Sequence, residues 1–150
     1  MSMELFVLSN MQLESVGAWQ GAIDAEKFPL RLNDDRPLDA LKGFLPVLLR
    51  GIRTGFECGH WPAEVFMRGR PAVNVGQEWR HVLTFRWGGD LNQLQSAWMA
   101  AAAYAKATGG IVFDDEEAKV HTAAEALEMV KDIERGIPIA EAFLRDLKRT

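Results

Sequence analysis

The sequence predicts an α+β domain built on a mostly antiparallel sheet, and three features of it do so. A short apolar run with β character at Glu4 to Leu8 is followed by helical spacing at Val16, Trp19 and Ile23. The stretch His81 to Trp87 alternates, with Val82, Thr84 and Arg86 on one side and Leu83, Phe85 and Trp87 on the other. Beyond Gly88 and Gly89 comes an alanine-rich segment in which Leu91, Leu94, Trp98, Ala101 and Ala102 make a broad apolar helix face. A chain of 150 residues, 48% hydrophobic and 25% charged, fits one such domain with one core over residues 1–150.

The elements follow in order. The first helix must end before Pro29, because proline disfavours the α conformation in the residue ahead of it, and Phe28 to Leu32 then reads as a second strand. After the polar loop Asn33 to Pro37, the spacing of Leu38, Leu41 and Leu45 predicts an irregular helical segment interrupted by Gly43 and Pro46. Thr54 to Trp61 is a third strand, with Phe56, Cys58 and His60 on one face. Pro62 to Trp79 carries Pro62, Gly69, Pro71 and Gly76 among short apolar pieces such as Val65 to Met67 and Ala72 to Val75, and reads as a long hairpin or loop.

The second half is clearer. Asp90, with Gln93 three residues on, suits a helix N-cap, and Gly109 supplies the left-handed residue that ends many helices. Ile111 to Phe113 is a strand, and an acidic turn from Asp114 leads toward Val120. Thr122 and Glu125 form a capping box for a helix that Gly136 and Pro138 should stop near Glu134. A last helix would then use Ile139, Phe143, Leu144 and Leu147. Two βαβ-type halves around one mostly antiparallel sheet, with helices packed on one face, point to a ferredoxin-like or split βαβ architecture.

Composition excludes several classes. A net charge of −4 disfavours a general nucleic-acid binder, which needs clustered cations. No apolar stretch approaches the roughly 20 residues that span a bilayer. Met1 to Asn10 lacks the basic start and long apolar run of a signal peptide, and Cys58 stands alone, so a cytoplasmic location is expected. The charge is uneven, however. From Asp114 to Glu134 eight acidic residues face only Lys119 and Lys131, whereas Arg50 to Arg86 holds six arginines against Glu57, Glu64 and Glu78. A solvated face is the commoner meaning of such an acidic run, and a basic partner is the other.

The search for chemistry yields fragments. Cys58-Gly59-His60 places a thiol and an imidazole on one face of a strand, but one of each is at most half a site, and His81 and His121 lack ligand spacing. Asp114-Asp115-Glu116-Glu117 has none of the alternation or central glycine of a calcium loop. Gly88-Gly89 and Gly109-Gly110 lack the spacing of a phosphate loop. No catalytic residue, metal or cofactor is therefore expected. Five tryptophans are many for this length: Trp19 and Trp98 suit helix core faces, while Trp61, Trp79 and Trp87 flank the loop region beside Arg68 and Arg70. Tryptophan with arginine is a composition of protein-binding hot spots, and a second layer of core packing under a long loop accounts for these rings equally well.

One segment carries a resemblance. An alanine-rich helix ending in Thr108-Gly109-Gly110, a strand ending in Phe113-Asp114 and a capped helix from Thr122 to Leu127 together resemble the closing segment of bacterial immunity proteins from polymorphic toxin systems. It covers residues 87–128 and carries over no binding residue. The resemblance implies a cytosolic bacterial protein-binding module that blocks a toxin by occlusion, a basic toxin being the natural partner. The expected contact residues are Trp61, Trp79, Trp87, Arg68, Arg70, Asp114, Asp115, Glu116 and Glu117. Two alternatives stand beside it: a small-ligand enzyme or sensor with a pocket near Cys58, His60 and His81, and an assembly subunit that forms a homodimer.

Overall fold

The computed structural model describes residues 3–70 and 78–149. The protein is α+β. Among the described residues the elements run β1 (Met3–Ser9), α1 (Val16–Ala25), β2 (Leu30–Leu32), a 3-10 turn (Leu38–Ala40), β3 (Gly43–Leu49), β4 (Ile52–Pro62), α2 (Ala63–Arg68), β5 (His81–Trp87), α3 (Leu91–Thr108), β6 (Ile111–Asp114), β7 (Lys119–Thr122) and α4 (Ala123–Arg149). The strands form one sheet in the order β2-β3-β4-β5-β1-β6-β7, and every neighbouring pair is antiparallel.

The ferredoxin-like expectation is met by the four central strands. In the spatial order β4-β5-β1-β6, β1 lies between β5 and β6, the two strands that α3 connects, which makes a split βαβ unit. Strands β2 and β3 extend that frame at one edge and β7 at the other.

Alternation along the strands divides the core in two. Leu5, Val7, Leu45, Val47, Phe56, Cys58, Leu83, Phe85 and Val112 face α1, α3 and α4. Helix α3 is buried from Ala97 to Ala105, and its alanines let the sheet, α1 and α4 approach it from several sides. Trp19 stands at the centre, edge-on to Phe85 and Tyr104, and its indole N–H donates to the Ala100 carbonyl at 3.0 Å. The opposite face buries a smaller group, Phe6, Leu8, Phe66, Trp79, Val82 and Phe113, under α2. Helices thus pack on one face except α2, which covers the other.

The caps are those the sequence marks. Asp90 Oδ1 accepts from the Asn92 and Gln93 N–H groups, Thr122 and Glu125 bond reciprocally, and Gly109 is left-handed at φ 68°.

Three expectations are corrected. The segment around Leu45 is strand β3 and not an irregular helix, because Leu45, Val47 and Leu49 alternate inward and the Arg50-Gly51 pair, at φ 50° and 80°, makes the tight turn into β4. Residues 63–68 form α2 where a hairpin or loop is predicted, since Ala63 and Phe66, three apart, fit one helical face over the second core. The remainder of that prediction, residues 71–77 including Ala72 to Val75, lies outside the described residues. Finally, α4 runs through Gly136 and Pro138 as one helix, since a proline inside a helix removes one hydrogen bond without having to end it. The side chains of Phe143 and Leu144 lie outside the described residues.

Candidate functional site

Strand β6 ends at Asp114, and the turn that returns the chain into β7 carries the acidic run. The four carboxylates do not act together: Asp115 lies on one side of the turn, and Asp114, Glu116 and Glu117 line a cleft on the other. Asp115 turns toward the smaller core and accepts from Arg70 Nε at 3.2 Å. Arg70 in turn lies 4.4 Å from the Phe66 ring centre, 5.1 Å from Phe6 and 5.2 Å from Trp61. Trp61, Arg70 and Asp115 therefore meet, and they hold the turn against the domain's own aromatic cluster.

Asp114, Glu116 and Glu117 lie on the other side. With Glu4 they line one rim of a cleft of about 230 Å³ between the end of β1 and helices α3 and α4. The remaining walls are apolar: Met3 and Trp87 from the sheet, Leu94 and Trp98 from α3, Met129 and Ile133 from α4. Burial pushes the Asp114 carboxyl above the usual carboxylate range, and the Glu117 carboxylate adds to that, while the Glu116 and Glu117 N–H groups oppose it. Asp114 thus sits where a cation beside it would relieve the strain of its charge. Trp87 is 5% exposed, and its indole N–H has no acceptor among the described residues.

Trp79 and Trp87 correct the expectation of tryptophans displayed to a partner, for both rings are buried. The physical reason is strand parity for Trp87, which places it on the main core face, and packing under α2 for Trp79. Trp61 is half-buried in the cluster already described. Arg68 stands exposed on the last turn of α2. Trp79 also borders a cleft of about 890 Å³, with Asn10, Arg80 and the Pro62 to Met67 side of α2.

The thiol and imidazoles do not make a reactive centre. Cys58 and His60 share a face, as their spacing requires, and the ladder sets His81 on that face beside them, opposite Pro62. Burial, however, pushes the Cys58 thiol far above its ordinary range, which removes its nucleophilic form at neutral pH. His60 Nε2 is held 2.9 Å from the Leu38 carbonyl. Among the described residues, Cys58, His60 and His81 line none of the five best-formed clefts. Among the described residues no three of His, Cys, Asp and Glu gather as a metal ion would need.

Sequence reasoning missed Met3, Glu4, Leu94, Met129 and Ile133 as cleft residues. Each is unremarkable in its own element, and only the meeting of β1, α3 and α4 brings them together. No family model matches the chain, and no curated protein or solved structure does. Among the described residues no helix is long and apolar enough to cross a membrane. Fold and site together define an antiparallel-sheet α+β protein with an acid-rimmed, apolar-walled cleft.

Proposed function

We propose that the protein is a cytoplasmic protein-binding module that recognises a basic partner with the end of the molecule built by the 114–117 turn and α4. An immunity protein that blocks a bacterial toxin by occlusion is the reading we favour. The observation that supports it most is the rim of Glu4, Asp114, Glu116 and Glu117 set against an apolar wall, because opposed charge speeds encounter and apolar surface supplies affinity. Glu125, exposed at the start of α4, extends the same field, while Glu128 and Asp132 are paired with Lys131 and Arg135. No reaction is implied, and occlusion requires none.

The test is survival and association together. Co-expression with a toxic product encoded beside this chain should restore growth, and a Glu116→Lys/Glu117→Lys variant should lose that protection. Association of the purified pair should slow as salt is raised. Association that ignores salt, with full protection by the charge-reversed variant, would remove this reading.

A further inference from the structure

We infer that the protein pairs with a second copy of itself through the open face of β2, β3 and β4, the two sheets lying face to face about a two-fold axis beside Pro46 and Gly55. Leu30 and Leu32 of β2, Leu45, Val47 and Leu49 of β3, and Phe56 and Cys58 of β4 point into the main core, so the residues between them point the other way. The helices that pack on β2 and β3, α1 and α3, lie on the inward side, and α2 meets β4 only at its far end, where Phe66 touches Trp61. The ladders set the outward residues in rows across the strands: Phe44 beside Glu57, Pro46 beside Gly55, and Leu48 between Arg31 and Arg53. A Cβ at Gly55 would collide with the Phe44 ring, so the glycine seats that ring on the sheet, and Phe44 is still 55% exposed. Arg31, Arg53 and Glu57 are exposed, and among the described residues none of them forms an ion pair. Arg86, the cross-strand neighbour of Glu57, is engaged with Glu4 at 3.8 Å.

This patch is complementary to itself. A copy turned over about the middle row keeps the order of its strands and reverses their direction, so its first row falls on the third. Each Glu57 then meets the partner's Arg53, each Phe44 meets the partner's Leu48, and the two prolines meet at the axis. A hollow of about 480 Å³ bounded by Asn33, Phe44, Pro46 and Arg53 receives the edge of the incoming ring. An axis one row away would set Arg53 on Arg53 or Glu57 on Glu57, so charge selects the register. A standard interface buries about 800 Å² per partner, and a patch of this size covers less, which makes the dimer a weak one with a Kd of about 10–300 µM. The acidic 114–117 turn lies at the opposite edge of the sheet, beside β7, so the dimer leaves it open and stands or falls independently of the reading above.

Sedimentation velocity of the full chain, from about 10 µM to about 1 mM, tests this. The parent should pass from monomer to dimer over that range and grow no larger, because an isologous contact closes on itself. Arg53→Glu and Glu57→Arg should each weaken the dimer by about tenfold or more, since the two-fold axis turns one substitution into two like-charged contacts. The combined Arg53→Glu/Glu57→Arg variant exchanges the charges and keeps them opposed, and should return the Kd to within about threefold of the parent. Pro46→Cys, close to the axis, should give a disulfide-linked dimer on mild oxidation, whereas the parent, whose Cys58 is buried, should give none. A chain still monomeric at about 1 mM, or one that grows beyond a dimer, would overturn the inference. So would single reversals as tightly paired as the parent, a combined variant that stays dissociated while its circular dichroism matches the parent, or a Pro46→Cys variant that does not cross-link.

Discussion

Gln20 on α1 closes the outer edge of the sheet by pairing with Leu32 on β2: its Oε1 accepts from the Leu32 N–H at 2.7 Å, and its Nε2 donates to the Leu30 carbonyl at 2.9 Å. Leu30 and Leu32 are the β2 residues whose backbone groups point away from β3, since Pro29 and Asn33 bond toward the neighbouring chain at Arg50 and Pro46. A side-chain amide thus does for this edge what a further strand would do, and leaves less template for pairing with another molecule. Gln20→Ala should lower stability by about 1–2 kcal/mol and raise the tendency to aggregate, as measured by urea unfolding and light scattering. An unchanged unfolding midpoint would mean water replaces the amide without loss.

Gly110 should not tolerate a side chain. A Cβ there would collide with the Leu8 carbonyl oxygen, a backbone atom that cannot swing aside. Gly110→Ala is expected to cost about 1–3 kcal/mol, whereas Gly89→Ala, which meets nothing within 4 Å, should be near neutral. Comparing the two in one thermal unfolding series checks the geometry of the β1–β6 junction.

His121 makes stability depend on pH in the acid direction. Burial holds its pKa below the ordinary 6.5, with Lys119 adding to that and Asp114, Glu125 and Glu117 opposing it; Trp98 lies edge-on at 5.5 Å. The unfolded chain therefore binds the proton first, so stability should fall as pH drops below 6.5 toward the folded-state value. His121→Gln should flatten that part of the stability curve. Asp34 and Glu125 act lower. The first is held down by Arg36 and the second by Thr122, and their contributions are lost only as pH falls past the carboxylate range.

Arg70 is expected to matter for packing. Its guanidinium lies over three rings and binds Asp115, so Arg70→Ala should destabilise by about 1–3 kcal/mol, and Arg70→Lys should recover only part of that because an ammonium cannot stack. Urea unfolding of the pair measures it. Equal stability of both variants and the parent would show that the cluster holds without the cation.

Pro138 sits inside α4, where Ile139 is 74% exposed. Replacing it by alanine removes an intrinsic penalty of about 3 kcal/mol from the helix. Because Ile139 and Leu147 stand exposed on that stretch, Pro138→Ala should increase the helical circular-dichroism signal while leaving the cooperative unfolding midpoint nearly unchanged. A large rise in the midpoint would show that the outer helix is coupled to the domain.

The sequence by itself determined the fold class, the burial of the His81 to Trp87 alternation, and the caps at Asp90, Gly109 and Thr122, because these depend on period and on bonds between residues a few positions apart. Local signals failed where they conflicted. Pro46 disguised strand β3, Pro62 and the glycines beyond it disguised α2, and Pro138 suggested an end to α4 that tertiary packing does not impose. The candidate site was legible only as separate pieces: an acidic turn, a set of tryptophans and a set of arginines. Which carboxylate faces Arg70 and which faces the cleft follows from the side of the sheet each occupies. Strand parity in β6 decides it for Asp114, the turn from 115 to 118 decides it for the rest, and the packing of α3 and α4 beside the sheet decides what stands opposite. Those contacts join residues up to the length of the chain apart, where no spacing in the sequence records them.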